Sequence, residues 1–100
     1  MVEVVVLGEL LSRPVAAWVL RILAYVQTPL TKEELLDRVG KKARSHTISV
    51  PSLAALEKEL AFLVEGEFLS RDSRGYSLRE LGADAAKELV PSHYEAPPTQ

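Results

Sequence analysis

Lys41, Lys42, Arg44 and His46 fall within six consecutive positions, the densest run of basic side chains in the chain. Ammonium and guanidinium groups at that density are suited to neutralising phosphates, each contact releasing about one counterion from a duplex. Ser49 and Ser52 follow, and their hydroxyls can hydrogen-bond a phosphate beside the free amides of a helix start. Further on, Arg71 and Arg74 are separated only by Asp72 and Ser73 and would extend the same surface. Lys58 stands between Glu57 and Glu59, so its approach to a duplex is opposed on both sides and it is expected to read bases poorly. The plainer alternative for the first group is a solvated loop whose cations keep it wet.

Other chemistries lack their residues. The chain of 100 residues has no cysteine, which removes disulfides, thiolate metal sites and thiol nucleophiles. Its only histidines, His46 and His93, are far apart, and no His/Asp/Glu set has metal-ligand spacing, so no metal and no cofactor is expected. No glycine-rich phosphate loop or Ser/His/Asp set is present, and the chain reads as a non-enzyme. Net charge is −2 and the pI about 5.7, so attraction to nucleic acid must come from a local patch. No apolar run reaches the roughly 18 residues that a membrane span needs, and the start has no secretory pattern. A cytoplasmic protein follows as the expectation, and the lack of asparagine with a single methionine fits a thermophilic source.

The elements that must carry these groups are readable from periodicity and caps. Residues 1–11 form an N-terminal arm, β-branched at Val2, Val4, Val5 and Val6, helical or extended. Ser12 is placed to cap a helix with Pro14 in its first turn, running to Val26 and stopped by Thr28-Pro29. Thr31 and Glu34 make a capping box for a second helix, with Gly40 able to end it. Residues 41–48 then read as a polar connection. Ser49 caps a third helix, with Pro51 in its first turn and Leu53, Leu56, Leu60, Leu63 and Val64 as its stripe, and Gly66 closes it. Phe68 to Arg71 and Tyr76 to Leu78 read as a hairpin, and a last helix runs from about Glu80 to Val90. Residues 91–100 are proline-rich and read as a disordered tail.

Helix, capped helix, helix, hairpin, helix is the order of a winged helix-turn-helix, and the match extends to residues. "LLSRPVAAWVLRIL" resembles the first conserved helix of arsenic-repressor-type (ArsR) regulators and "LTKEELLDRVG" their second. "SLAALEKELAFLVEGEFLSRDSRGYSLRELG" resembles the recognition helix, wing and following turn shared with the MarR and PadR groups. Gly66, Phe68-Leu69, Arg71, Gly75-Tyr76, Leu78 and Gly82 are the most specific part. Two departures stand out: the connection from Gly40 to Ser49 is longer than the usual tight turn, and Arg79 replaces the Thr or Ser that commonly caps the helix after the wing.

The resemblance implies a mainly α fold with a small β-hairpin, a winged helix-turn-helix over residues 12–90. Its expected core includes Val19, Ile22, Leu23, Leu35, Leu56, Leu60, Leu63 and Leu78. It further implies double-stranded DNA as partner, bound through Lys41, Lys42, Arg44, His46, Ser49, Ser52, Lys58, Arg71 and Arg74 by a small transcriptional regulator or nucleoid-associated protein, operator-specific or sequence-tolerant. A homodimer through the arm and first helix is expected. Because winged helices also serve as interaction modules, the alternative is a protein-binding surface with Trp18, Ala55 and Phe62 as contacts and Glu57 and Glu59 beside them.

Overall fold

In the computed structural model, residues 4–89 are described. They form α1 (Val4–Leu11), α2 (Pro14–Val26), α3 (Lys32–Ser45), α4 (Leu53–Glu65), β1 (Leu69–Asp72), β2 (Gly75–Leu78) and α5 (Glu80–Glu88). The expected mainly α fold with one small hairpin is what these residues adopt. Val90 and the expected tail at 91–100, with His93, lie outside the described residues.

From Val4 onward the N-terminal arm is helical. Ser12, expected to cap the next helix, instead belongs to the end of α1, where its hydroxyl donates to the Glu9 carbonyl at 2.7 Å. Arg13 takes the N-cap position of α2 without a side-chain bond, and Pro14 occupies the first turn, where its missing amide costs little. Ala16, Trp18, Val19, Leu20 and Leu23 give α2 its buried face.

The capping box of α3 forms as expected: the Glu34 amide donates to Thr31 Oγ1 at 3.2 Å, and the Thr31 amide donates to Glu34 Oε1 at 2.8 Å. The helix does not end at Gly40, however. Leu35, Val39 and Ala43 are buried at steps of four, so the apolar stripe continues through the segment expected to be a loop. Gly40 is buried inside the helix, where a Cβ would lie in van der Waals contact with Val50 Cγ1 at 3.4 Å.

α3 runs to Ser45, about one and a half turns further than expected, with Thr47 in the left-handed region at φ 53°. The Thr47 amide donates to the Arg44 carbonyl at 3.2 Å and the Ile48 amide to the Ala43 carbonyl at 2.8 Å, the paired bonds of a Schellman end. A β-branched residue is strained in that conformation, where glycine is not. Thr47→Gly is therefore expected to stabilise the domain by about 1 kcal/mol, raising the melting temperature by roughly 5 °C in a calorimetric scan.

The cap of α4 is Ser52, not Ser49: the Ala55 amide donates to Ser52 Oγ at 3.1 Å, while Ser49 lies exposed in the connection and Pro51 precedes the helix. Shifting the start by three residues leaves Leu53 at the first position, exposed instead of in the stripe, and the buried face narrows to Leu56, Leu60 and Leu63. Gly66 is the C-cap, as expected.

β1 and β2 pair antiparallel in the register Leu69↔Leu78, Ser70↔Ser77, Arg71↔Tyr76 and Asp72↔Gly75. A third segment joins them at Leu30, whose amide donates to the Tyr76 carbonyl at 3.0 Å while its carbonyl accepts from the Tyr76 amide at 2.7 Å. The hairpin is thus tied to the connection between α2 and α3. Among the described residues every buried side chain is apolar apart from the Tyr76 hydroxyl and the Trp18 indole nitrogen. Ile22 and Leu78, expected in the core, are half-buried and pack against it. Among the described residues no helix is long and apolar enough to cross a membrane.

Candidate nucleic-acid interface

Extending α3 to Ser45 turns the supposed basic loop into the last turns of a helix. Lys42 and Arg44 lie in the final turn, where cations complement the negative end of the helix dipole. Lys41 pairs with Asp37 one turn back at 3.2 Å. Arg44 is exposed, with its guanidinium alongside Gly40. His46 caps the helix, its Nδ1 lying 3.0 Å from the Lys42 carbonyl oxygen, and its ring sits 5.8 Å from that of Trp18. Trp18 is itself buried under these contacts, so its packing is within the chain.

A cleft of about 550 Å³ opens between α2 and α3, lined by Arg21, Ile22, Tyr25, Asp37, Arg38, Lys41 and Lys42. Four cations thus face one carboxylate. Tyr25 is 87% exposed. Arg38 was legible only through the true length of α3: once the helix runs on, Arg38, Lys41 and Lys42 fall at spacings of three and four and share a face.

α4 presents a different surface. Ser52, Ala54, Ala55, Lys58 and Ala61 are exposed, and the neighbouring carboxylates are held by other elements. Glu57 accepts from Lys32 Nζ at 2.6 Å, and this bond holds the lysine above its ordinary value of 10.5. Glu59 accepts from Arg13 Nη1 at 3.1 and 3.3 Å. The same guanidinium lies 4.1 Å from the centre of the Phe62 ring. Phe62, expected on the outer face, is therefore half-buried beneath Arg13 and is engaged within the domain.

In the hairpin turn the Arg74 amide donates to Asp72 Oδ1 at 2.8 Å, which keeps the Asp72 carboxyl below its ordinary 3.8. Arg74 Nη2 reaches the other oxygen at 3.3 Å, so the cation is partly neutralised at home. Arg71 is exposed, with its guanidinium 5.7 Å from the centre of the Tyr76 ring.

The two cationic groups do not merge. The hairpin sits at the start of α3, through Leu30 and through Lys32, whereas Lys41, Lys42 and Arg44 occupy its far end. A helix of 14 residues spans about 21 Å at 1.5 Å per residue. Among the described residues no cluster of three or more His, Asp or Glu could hold a metal. Comparison with protein-family models, with curated proteins and with solved structures gives no match to this chain.

Proposed function

We propose that the chain is a winged helix-turn-helix domain that binds double-stranded DNA through its phosphates, with little discrimination among bases, as a small transcriptional regulator or nucleoid-associated protein. The observation that carries the reading is the set of Lys41, Lys42 and Arg44 on the last turns of α3, leading directly to the exposed, serine-capped start of α4. The hairpin, about one helix length away, supports it as a separate cationic group that can meet phosphates elsewhere on the duplex. The face of α4 supports the low discrimination, since Lys58 is its only cation and no Asn, Gln or Arg accompanies it.

Fluorescence anisotropy with random-sequence duplex at several salt concentrations tests the reading. Arg44→Ala is expected to weaken binding on every sequence and to reduce the salt slope by about one unit, whereas Lys58→Ala leaves sequence preference unchanged. A sequence-selective loss at Lys58 with no effect at Arg44 would mean that α4 reads bases. No binding at about 50 mM salt would remove duplex DNA altogether. In that case the second reading, a protein-interaction module, gains from a specific feature: the exposed face of α4 is alanine-rich, at Ala54, Ala55 and Ala61, and bordered by Glu57 and Glu65.

A further inference from the structure

We propose that the cleft between α2 and α3 is a binding site for a nucleoside polyphosphate, its phosphates held by Arg21, Lys41 and Lys42 and its base stacked on Tyr25. The proposal does not rest on duplex binding, although Lys41 and Lys42 take part in both. A concave space of about 550 Å³ falls within the roughly 300–1,000 Å³ of small-molecule sites. Its charged lining is mostly cationic: Arg21, Arg38, Lys41 and Lys42 face the single carboxylate of Asp37, in a chain whose net charge is −2. Four cations gathered at one hollow, against that overall balance, focus the field there and draw an anion of several charges.

The two walls divide the ligand between them. The end of α2 leads by a short connection into the start of α3, and Trp18 meets His46 with ring centres 5.8 Å apart, so the two helices run antiparallel. Counting by turns from that contact brings Ile22 level with Lys42 and Tyr25 level with Arg38. Arg21 and Tyr25 are four residues apart and share the cleft face of α2, as Arg38, Lys41 and Lys42 share that of α3. One end of the cleft therefore holds Arg21, Lys41 and Lys42, and the other holds Tyr25 and Arg38. Arg21 is half-buried with its Nε closed off from solvent, so its guanidinium is fixed in the wall.

A bare phosphate chain would use only the first end. Tyr25 calls for a base as well: its ring is 87% exposed while lining the cleft, whereas an aromatic side chain ordinarily contributes by burial. A ring so presented is a stacking platform, and stacking accepts any base because every base has a π-face. The Arg38 guanidinium at the same level can lie against the base from the other wall. Asp37 suits what joins the two ends: its Oδ2 pairs with Lys41 at 3.2 Å, and its Oδ1 can accept from hydroxyl donors but not from a phosphate. The four residues from Arg21 to Tyr25 rise about 6 Å, a gap that one pentose bridges. A pentose with its hydroxyls towards a carboxylate, a ring at one end and phosphates at the other, is a nucleotide.

Isothermal titration calorimetry of the full chain without DNA, at about 100 mM salt, compares adenosine triphosphate, inorganic tripolyphosphate and adenosine. The nucleotide is expected to bind with a dissociation constant on the order of 10–100 µM, tripolyphosphate at least about tenfold more weakly, and adenosine without saturating below about 5 mM. Tyr25→Ala removes an exposed ring, so the melting temperature is expected to hold while nucleotide affinity falls about tenfold and tripolyphosphate affinity stays the same. Lys42→Gln is expected to weaken both phosphate ligands together. The proposal is overturned if the nucleotide does not saturate by about 1 mM, if tripolyphosphate binds as tightly as the nucleotide, or if Tyr25→Ala binds the nucleotide as tightly as wild type.

Discussion

Gly82→Ala is expected to destabilise the domain by about 3 kcal/mol and to lower its melting temperature by roughly 15 °C. Gly82 lies in the first turn of α5, which crosses the backbone just before β1. A Cβ built on it would stand 2.0 Å from the Phe68 carbonyl oxygen and 2.9 Å from its carbon. That oxygen cannot retreat freely, because it accepts the Arg79 amide at 3.0 Å, the bond that fixes the approach of α5. Relief requires moving α5 away from α2, or Phe68 out of the core, and either opens a cavity among residues now fully enclosed. Differential scanning calorimetry decides the matter: a melting temperature within about 3 °C of wild type would mean that α5 can slide at no cost.

Gly75→Ala is expected to cost about as much, roughly 3 kcal/mol, through a different part of the molecule. Its φ of 123° is a conformation that L side chains rarely adopt, and a Cβ would lie 2.3 Å from the Leu30 carbonyl oxygen. Strain and collision therefore fall on the same bond, the pairing of Leu30 with Tyr76. The start of α3 would feel the change too, since the Thr31 amide, half of the capping box, would be 2.8 Å from the new methyl. Thermal unfolding together with the amide proton shifts of Leu30 and Tyr76 checks the expectation, and Ser73→Ala in the exposed turn serves as the neutral control. Unchanged shifts in Gly75→Ala would show that the hairpin holds its place without that pairing.

These two glycines belong to the most specific part of the sequence resemblance, and the structure gives each a physical reason. Much else was legible by the same logic: Val19 and Leu23 in α2, the capping box at Thr31 and Glu34, the hairpin, and Leu56, Leu60 and Leu63. The misreadings share one cause, that local signals compete at helix ends. Gly40 resembles a terminator, yet Ala43 completes the spacing of Leu35 and Val39, and a short apolar side chain among Lys41, Lys42 and Arg44 is a weak mark. Ser49 and Ser52 are both good caps, and Pro51 fits the first turn from one and the position before the helix from the other. The left-handed residue after α3 is Thr47, not glycine, so the usual sequence signal for that helix end is missing.

At the site, the basic cluster was visible as composition but its helical frame was not, so Arg38 and the cleft with Arg21 and Tyr25 went unread. The cover over Phe62 was equally hidden, because Arg13 and Glu59 meet only in the folded chain.

The pairing of Leu30 with Tyr76 also bears on the order in which the molecule assembles. β1 and β2 are joined by a two-residue turn and can meet within microseconds, but a lone two-stranded hairpin is barely stable in water. Its third partner lies before α3, so the pairing closes a loop containing both α3 and α4, and the entropy of that closure is lost late. An interaction formed after the transition state governs how fast the native state is left and scarcely how fast it is reached. The tether of the hairpin is thus expected to act as a latch on lifetime: stopped-flow unfolding of a variant weakened there should be faster than wild type, with the folding rate nearly unchanged.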